Sequence, residues 1–188
     1  MMKKKMKEKK NMIELSGKLD QIHLFLRGGY IVPYQDTYGK YISNTEKLKN
    51  EKINLIVNIN NYGQSRGEVF FDNDQTDTIK NNLYYRVEMF YNDKTLSFTT
   101  YKNNIDKYKY NDHILGKIEF WRISSIVEMN NKKEKKTKAI SLKTTYNDNK
   151  KEDNVEGIYD QENDKVIFEI SKDDKSISIF NINEFEII

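Results

Sequence analysis

The chain has 188 residues, 37% of them hydrophobic and 32% charged, and its 32 basic against 29 acidic side chains give a formal net charge of +3. That length builds one or two domains with a real core, and 13 tyrosines and 9 phenylalanines supply bulky apolar surface, so a wholly disordered chain is excluded. With no cysteine there is neither a disulfide framework nor a thiolate metal site, and two histidines, His23 and His113, are too few for a histidine-rich metal centre.

Residues 1–11 set six lysines against Glu8 and read as a solvated, disordered basic tail. A nucleic-acid binder carries its basic patch on the folded part, so nucleic acid is not an expected partner. A membrane is not expected either: no apolar run reaches the length of a span, and no signal-peptide core follows the lysines. Residues 12–34 hold two short strand signals, at 23–26 and 31–33, and the polar, aperiodic residues 35–52 read as a linker. Beyond them period-2 alternation dominates, with strands expected at 53–59 and 67–71. The clearest signal is a hairpin over 83–101. Leu83, Tyr85, Val87, Met89 and Tyr91 share one face, Asn92 and Asp93 suit a turn with positive φ, and Leu96 and Phe98 return on the same face. Further strands are expected at 117–123, 126–129, 166–170 and 183–188, parted by Asn, Asp and Lys runs at 130–138 and 147–153 that read as surface insertions. Strands at this spacing indicate an all-β chain, an antiparallel β-sandwich over 53–188.

Two stretches stand apart. HLFLRGGYIVPYQDT, residues 23–37, puts Gly28 and Gly29 between two apolar runs and contains the one proline. The glycine pair supplies a tight turn or a close backbone approach, but it has neither the spacing of a dinucleotide loop nor the Lys-Ser/Thr of a P-loop. GEVFFDNDQTDT, residues 67–78, gathers Asp72, Asp74 and Asp77 after an aromatic pair. Read as a calcium loop it fails, because Asp77 stands where glycine is needed and Leu83 where the bidentate glutamate is needed, so a turn at a strand end is the reading taken.

The two stretches occur in one order, with a polar linker and the strand LIVNINNYG between them, and together they resemble the C-terminal portion of glycoside hydrolase family 31, of the α-glucosidase, maltase-glucoamylase and glucosidase II type. The first motif is carried by Leu26, Arg27, Gly28, Gly29, Ile31 and Pro33, and the second by Gly67, Phe70, Phe71, Asp72, Thr76, Asp77 and Thr78. Asn73 and Asp74 stand where the family has Asp-Gly. The resemblance implies a catalytic (β/α)8 barrel followed by a proximal and a distal β-sandwich, with residues 12–34 as the end of the proximal domain and 53–188 as the distal one.

Hydrolysis in that family is retaining and needs two carboxylates about 5 Å apart, held by a barrel of about 250 residues. This chain is shorter than such a barrel, and the family's nucleophile and acid/base motifs do not occur in it. Asp72 and Asp77 lie in a turn with nothing to separate their acidities, so no catalytic residue, cofactor or metal is expected. The motif residues are expected to be structural. The implied partner is the barrel of a parent glycosidase, with α-glucan as its possible ligand. Members of the family work in the secretory pathway, the lysosome or the endoplasmic reticulum. The alternative is a free-standing carbohydrate-binding sandwich whose aromatic platform is Trp121 with Tyr108 and Tyr110; packed on the sheet instead, Trp121 serves the fold alone.

Overall fold

The computed structural model describes residues 14–18, 20, 22–71, 84–102, 113–125, 140–146, 152–170, 177–179 and 182–187. Among these are ten strands: β1 (Tyr30–Gln35), β2 (Ile53–Asn58), β3 (Ser65–Phe71), β4 (Tyr85–Asn92), β5 (Thr95–Lys102), β6 (Leu115–Trp121), β7 (Ile140–Tyr146), β8 (Glu152–Asp160), β9 (Lys165–Glu169) and β10 (Ile182–Ile187). A short helix, α1 (Thr45–Leu48), lies between β1 and β2, and a 3-10 turn at Ile123–Ser125 follows β6. The chain is all-β as expected.

The strands form one hydrogen-bonded sheet in the order β1-β2-β6-β9-β8-β7-β10-β5-β4-β3, closed by the pairing of β3 with β1. Most neighbours are antiparallel, but β2 and β6 run parallel, and so do β1 and β3 at Tyr30 and Arg66. The expected sandwich is thus realised as a single curled sheet. Its parallel pairings join strands far apart in sequence, which are the places where two separate sheets would otherwise end.

Alternation decides which side chains fill the interior. Along β4, Tyr85, Val87, Met89 and Tyr91 are buried while Arg86 and Phe90 point out, and β5 returns Leu96 and Phe98 to the same core. β6 adds Leu115, Ile118 and Phe120, β9 adds Val166 and Phe168, and β10 adds Ile182, Phe185 and Ile187. Aromatic rings meet edge to face inside, with Phe98 on Phe185 at 5.6 Å and Phe120 on Phe168 at 5.8 Å between centroids.

The hairpin forms as expected, with its turn one residue later. Asn92 pairs with Thr95, leaving Asp93 (φ 46) and Lys94 (φ 67) as the loop. Two positive φ angles in a two-residue loop make the turn type that matches strand twist. Register is fixed by burying Tyr91 opposite Leu96, and that burial outweighs the discomfort of lysine in the left-handed region.

Other expectations need correction. Residues 23–26 form no strand, and there Leu24 is 90% and Phe25 74% exposed. β7 and β8 were not expected at all, and Glu152 and Asp153, read as part of a surface insertion, lie in β8. Residues 35–52, read as a linker, include α1, whose N-cap Asn44 accepts the Lys47 N–H at 3.0 Å. Gln35 holds the end of α1 by donating its side-chain amide to Leu48 O (2.8 Å) and Glu51 O (3.1 Å). The expected strand at 126–129, the insertion at 130–138 and the basic tail at 1–11 lie outside the described residues.

β1 itself is integral to the sheet. It pairs with β2 along its whole length, from Tyr30 opposite Asn58 to Gln35 opposite Ile53, and Ile31 is only 3% exposed in the common core. The closure turns on one glycine. A Cβ at Gly67 would overlap the carbonyl oxygen of Ile31 and lie 2.8 Å from the Ile31 Cβ, so only glycine lets β3 come this close to β1.

Gly67→Ala is therefore expected to lower stability by about 2 kcal/mol, as overpacking does, read from the urea midpoint of the full chain. An unchanged midpoint would show that the closure carries no weight. A chain beginning at Lys52 loses the strand that bridges β2 and β3, and it is expected to lose cooperative thermal unfolding; a sharp, unshifted melt would contradict this.

Candidate functional site

The two sequence motifs, separated along the chain, come together at the closure. Leu26 O accepts the side-chain amide of Asn58 at 3.0 Å, and the Gly29 N–H donates to Asn58 O at 2.6 Å. Gly29 sits at φ +92, a conformation open to glycine, and its carbonyl accepts the Arg66 N–H at 3.1 Å, one residue before Gly67. Gly28 lies beneath Arg122, where an added Cβ would meet the guanidinium at 3.1 Å. Arg27 is exposed, Ile31 is buried and Pro33 half-buried. From the second motif, Phe71 stacks on His113 with centroids 4.1 Å apart, and the exposed Phe70 tilts on Tyr84 at 4.9 Å. Asp72, Thr76, Asp77 and Thr78 lie outside the described residues.

Between β1, α1 and β3 there is an open cavity of about 310 Å³, lined by Pro33, Tyr34, Gln35, Leu48, Val69, Phe70, Phe71 and His113 among others. No three histidine, aspartate or glutamate side chains among the described residues are grouped to hold a metal ion. No helix among them is long and apolar enough to cross a membrane.

A polar cluster lies on the outer face of the sheet, across β1, β6 and β9. Glu119 of β6 is 6% exposed, with the Tyr34 hydroxyl donating to its Oε1 at 2.9 Å and the Trp121 indole N–H donating to its Oε2 at 3.2 Å. Lys117 stands 3.2 Å from Oε1 and Lys165 of β9 3.7 Å from Oε2. The Lys117 ammonium also lies over the Tyr34 ring at 5.6 Å from its centroid. Burial pushes the Glu119 carboxyl up, but the hydrogen bonds from Trp121, Tyr34 and Lys117 outweigh it and hold the group below the usual carboxylate range. Contact with Tyr34, then with Glu119, holds the Lys117 ammonium above the usual lysine value, and burial pushes the Tyr34 hydroxyl up.

Trp121 thus directs its N–H into the protein's own network. Tyr108 and Tyr110, the other members of the expected platform, lie outside the described residues. The cluster was missed in the sequence, although Lys117, Glu119 and Trp121 recur every second residue along an otherwise apolar strand and so mark its outward face.

Because the Glu119 carboxyl titrates lower in the folded chain than in the unfolded one, its contribution is fully present above the ordinary value of about 4.3 and is lost as pH falls through the depressed one. Glu119→Gln is expected to cost roughly 2 kcal/mol near neutrality. The gap between variant and parent is expected to narrow below about pH 4, where the parent carboxylate also takes a proton. Urea midpoints of both proteins across that range check it, and a gap independent of pH would exclude the charged form as the stabilising one.

No protein-family model matches the chain. Over 116 residues, 60% of this chain and 4% of the relative, the sequence is 32% identical to probable maltase-glucoamylase 2 of Homo sapiens. The fold is similar to a glucosidase II alpha subunit crystallised with alpha3-Glc2, at a TM-score of 0.58 and 14% identity, over 87% of this chain and 16% of that one. It is also similar to an endoplasmic-reticulum glucosidase II heterodimeric complex (TM-score 0.58, 14% identity, 87% of this chain and 17% of that one). A third likeness is to the alpha-1,4-glucan lyase of Gracilariopsis lemaneiformis (TM-score 0.52, 12% identity, 87% and 16%). The chain therefore spans a small part of each relative's length. In sequence the chain thus resembles part of maltase-glucoamylase, and in fold part of a glucosidase II alpha subunit, so its likeness is to an α-glucosidase-type region.

Proposed function

We propose that the chain is the non-catalytic C-terminal β portion of an α-glucosidase-like glycoside hydrolase and braces that enzyme's catalytic (β/α)8 barrel. Residues 12–34 carry the end of the proximal β-domain and residues 53–188 the distal one, and β1 ties the two. The observation that carries this reading is the segment leading into the closure. Ile22, Leu24 and Phe25 are 87%, 90% and 74% exposed, a run of large apolar side chains that the chain's own sheet does not cover. A preceding domain packed against the entry to β1 would cover it.

The described carboxylates support a non-catalytic role. Glu68 and Glu88 face each other across β3 and β4, but both are ion-paired to Arg86 on an open sheet face, and nothing there sets one apart as acid and the other as nucleophile.

The full chain alone is expected to give no hydrolysis of maltose or of an aryl α-glucoside above the uncatalysed rate. Turnover that disappears on Asp72→Asn would overturn the reading. That exposed run is expected to make the full chain self-associate, and replacing Ile22, Leu24 and Phe25 together by serine to reduce the association in sedimentation without moving the melt. A melt that collapses would place this segment in the chain's own core instead.

A further inference from the structure

The outward face of β3, β4 and β5 carries more chemistry than a solvated surface needs. Cross-strand register sets Phe70, Arg86 and Tyr101 in one rung, Glu68, Glu88 and Thr99 in the next, and Arg66, Phe90 and Ser97 in the third. The three rings are each about half exposed, at 46% for Phe70, 47% for Phe90 and 46% for Tyr101, whereas the inward faces of the same strands already fill the core. About half of each ring is therefore left open to a ligand.

The polar groups between the rings are fixed. The Arg86 Nε donates to Glu68 Oε2 at 2.8 Å, and its Nη2 lies 2.8 Å from Glu68 Oε2 and 2.6 Å from Glu88 Oε1. Tyr101 donates its hydroxyl to Glu88 Oε2 at 3.0 Å, and the Arg86 guanidinium sits over the Tyr101 ring at 5.9 Å. Glu68 Oε1 and Arg86 Nη1 have no hydrogen-bond partner among the described residues, so the ion-paired ladder keeps an acceptor and a planar donor open on a face that also carries exposed rings.

We propose that this face is a binding site for a linear, α-linked glucan chain, lying across β3, β4 and β5. The C–H faces of the sugar rings stack on Phe70, Tyr101 and Phe90, while neighbouring hydroxyls donate to Glu68 and accept from Arg86. Phe70 and Tyr101, two strands apart, stand about 10 Å from each other, and Phe90, four residues along β4, about 13 Å from that rung. Such spacings suit an oligosaccharide rather than a monosaccharide. The two arginines and two glutamates of the ladder cancel in charge, which favours a neutral ligand over nucleic acid or a charged peptide. The core of a protein interface is depleted of charged groups, and here they sit at the centre. The sheet is closed, so a peptide has no edge of β3, β4 or β5 to extend.

The choice of an α-linked glucan rests on the α-glucosidase reading, but binding needs no barrel. A failure here leaves the bracing role standing, and a failure of that role leaves this face standing.

The test is calorimetric titration of the full chain with maltoheptaose, with cellohexaose as the β-linked control. Maltoheptaose is expected to bind in the millimolar range. Phe70→Ala with Tyr101→Ala should weaken it at least tenfold, and Phe90→Ala about fivefold, with melts unmoved. Arg86→Lys keeps the charge but loses the planar fork, and it should also weaken binding. Should the ring variants unfold, Thr99→Glu removes no contact and adds bulk and charge at the centre of the face, and it is expected to weaken binding as much as the double variant. No maltoheptaose binding, equal binding of cellohexaose, or an affinity untouched by the double variant and by Thr99→Glu would each overturn the proposal.

Discussion

The fold depends on the approach of β3 to β1 at Gly67. A strand pair needs its backbones within about 5 Å, and here the Ile31 carbonyl occupies the place of a side chain on β3. Glycine removes the obstacle and Gly29, at φ +92, turns the chain so that its carbonyl meets the Arg66 N–H. Without that meeting β1 would remain paired to β2 alone, and both β1 and β3 would end as open edges. With it, every strand has two neighbours, and Ile31 joins a core it could not otherwise reach.

Closure has a polar counterpart outside. A carboxylate buried on a sheet face is costly unless donors converge on it, and Glu119 gathers them from three strands: Tyr34 of β1, Lys117 and Trp121 of β6 and Lys165 of β9. The donors become available because β2 and β6 run parallel and bring β1 and β9 to either side of the same face. Hydrogen bonding wins over desolvation there, and the Glu119 carboxyl is held below the usual carboxylate range.

What was legible in the sequence was local. Alternation in YRVEMFYN and TLSFTTYK announced β4 and β5 with their faces assigned correctly, because one side chain in two is large and apolar and its neighbour polar. Weak alternation hid β7 and β8: ISLKTTY and EDNVEGIYD lie beside Lys- and Asn-rich runs and contain few bulky apolar residues. The curl of the sheet was illegible for a different reason. Parallel pairings of β1 with β3 and β2 with β6 join strands with no common turn, and nothing in either strand alone names its partner. The glycines of both motifs were visible as a resemblance, but their meeting required the fold. The Glu119 cluster left a trace in the alternation of Lys117, Glu119 and Trp121, which an eye set on apolar positions passes over.

A closed sheet offers partners no backbone edges, so among the described residues the surfaces open to a partner include its outer faces, the cavity beside α1 and the segment that enters β1. Those surfaces differ in how far their polar groups are satisfied. Around Glu119 both carboxylate oxygens already accept from the protein, and the ring of Trp121 is tied to the same group, a saturated arrangement that stabilises but has little left to offer a ligand. Around Arg86 the network is equally ordered yet keeps an acceptor and a donor open on a face that also carries exposed rings. The apolar run at Ile22, Leu24 and Phe25 offers no polar group at all and suits a protein neighbour. The chain therefore separates a surface that holds it together, a segment suited to a protein neighbour, and a face whose open donor and acceptor suit the proposed sugar ligand.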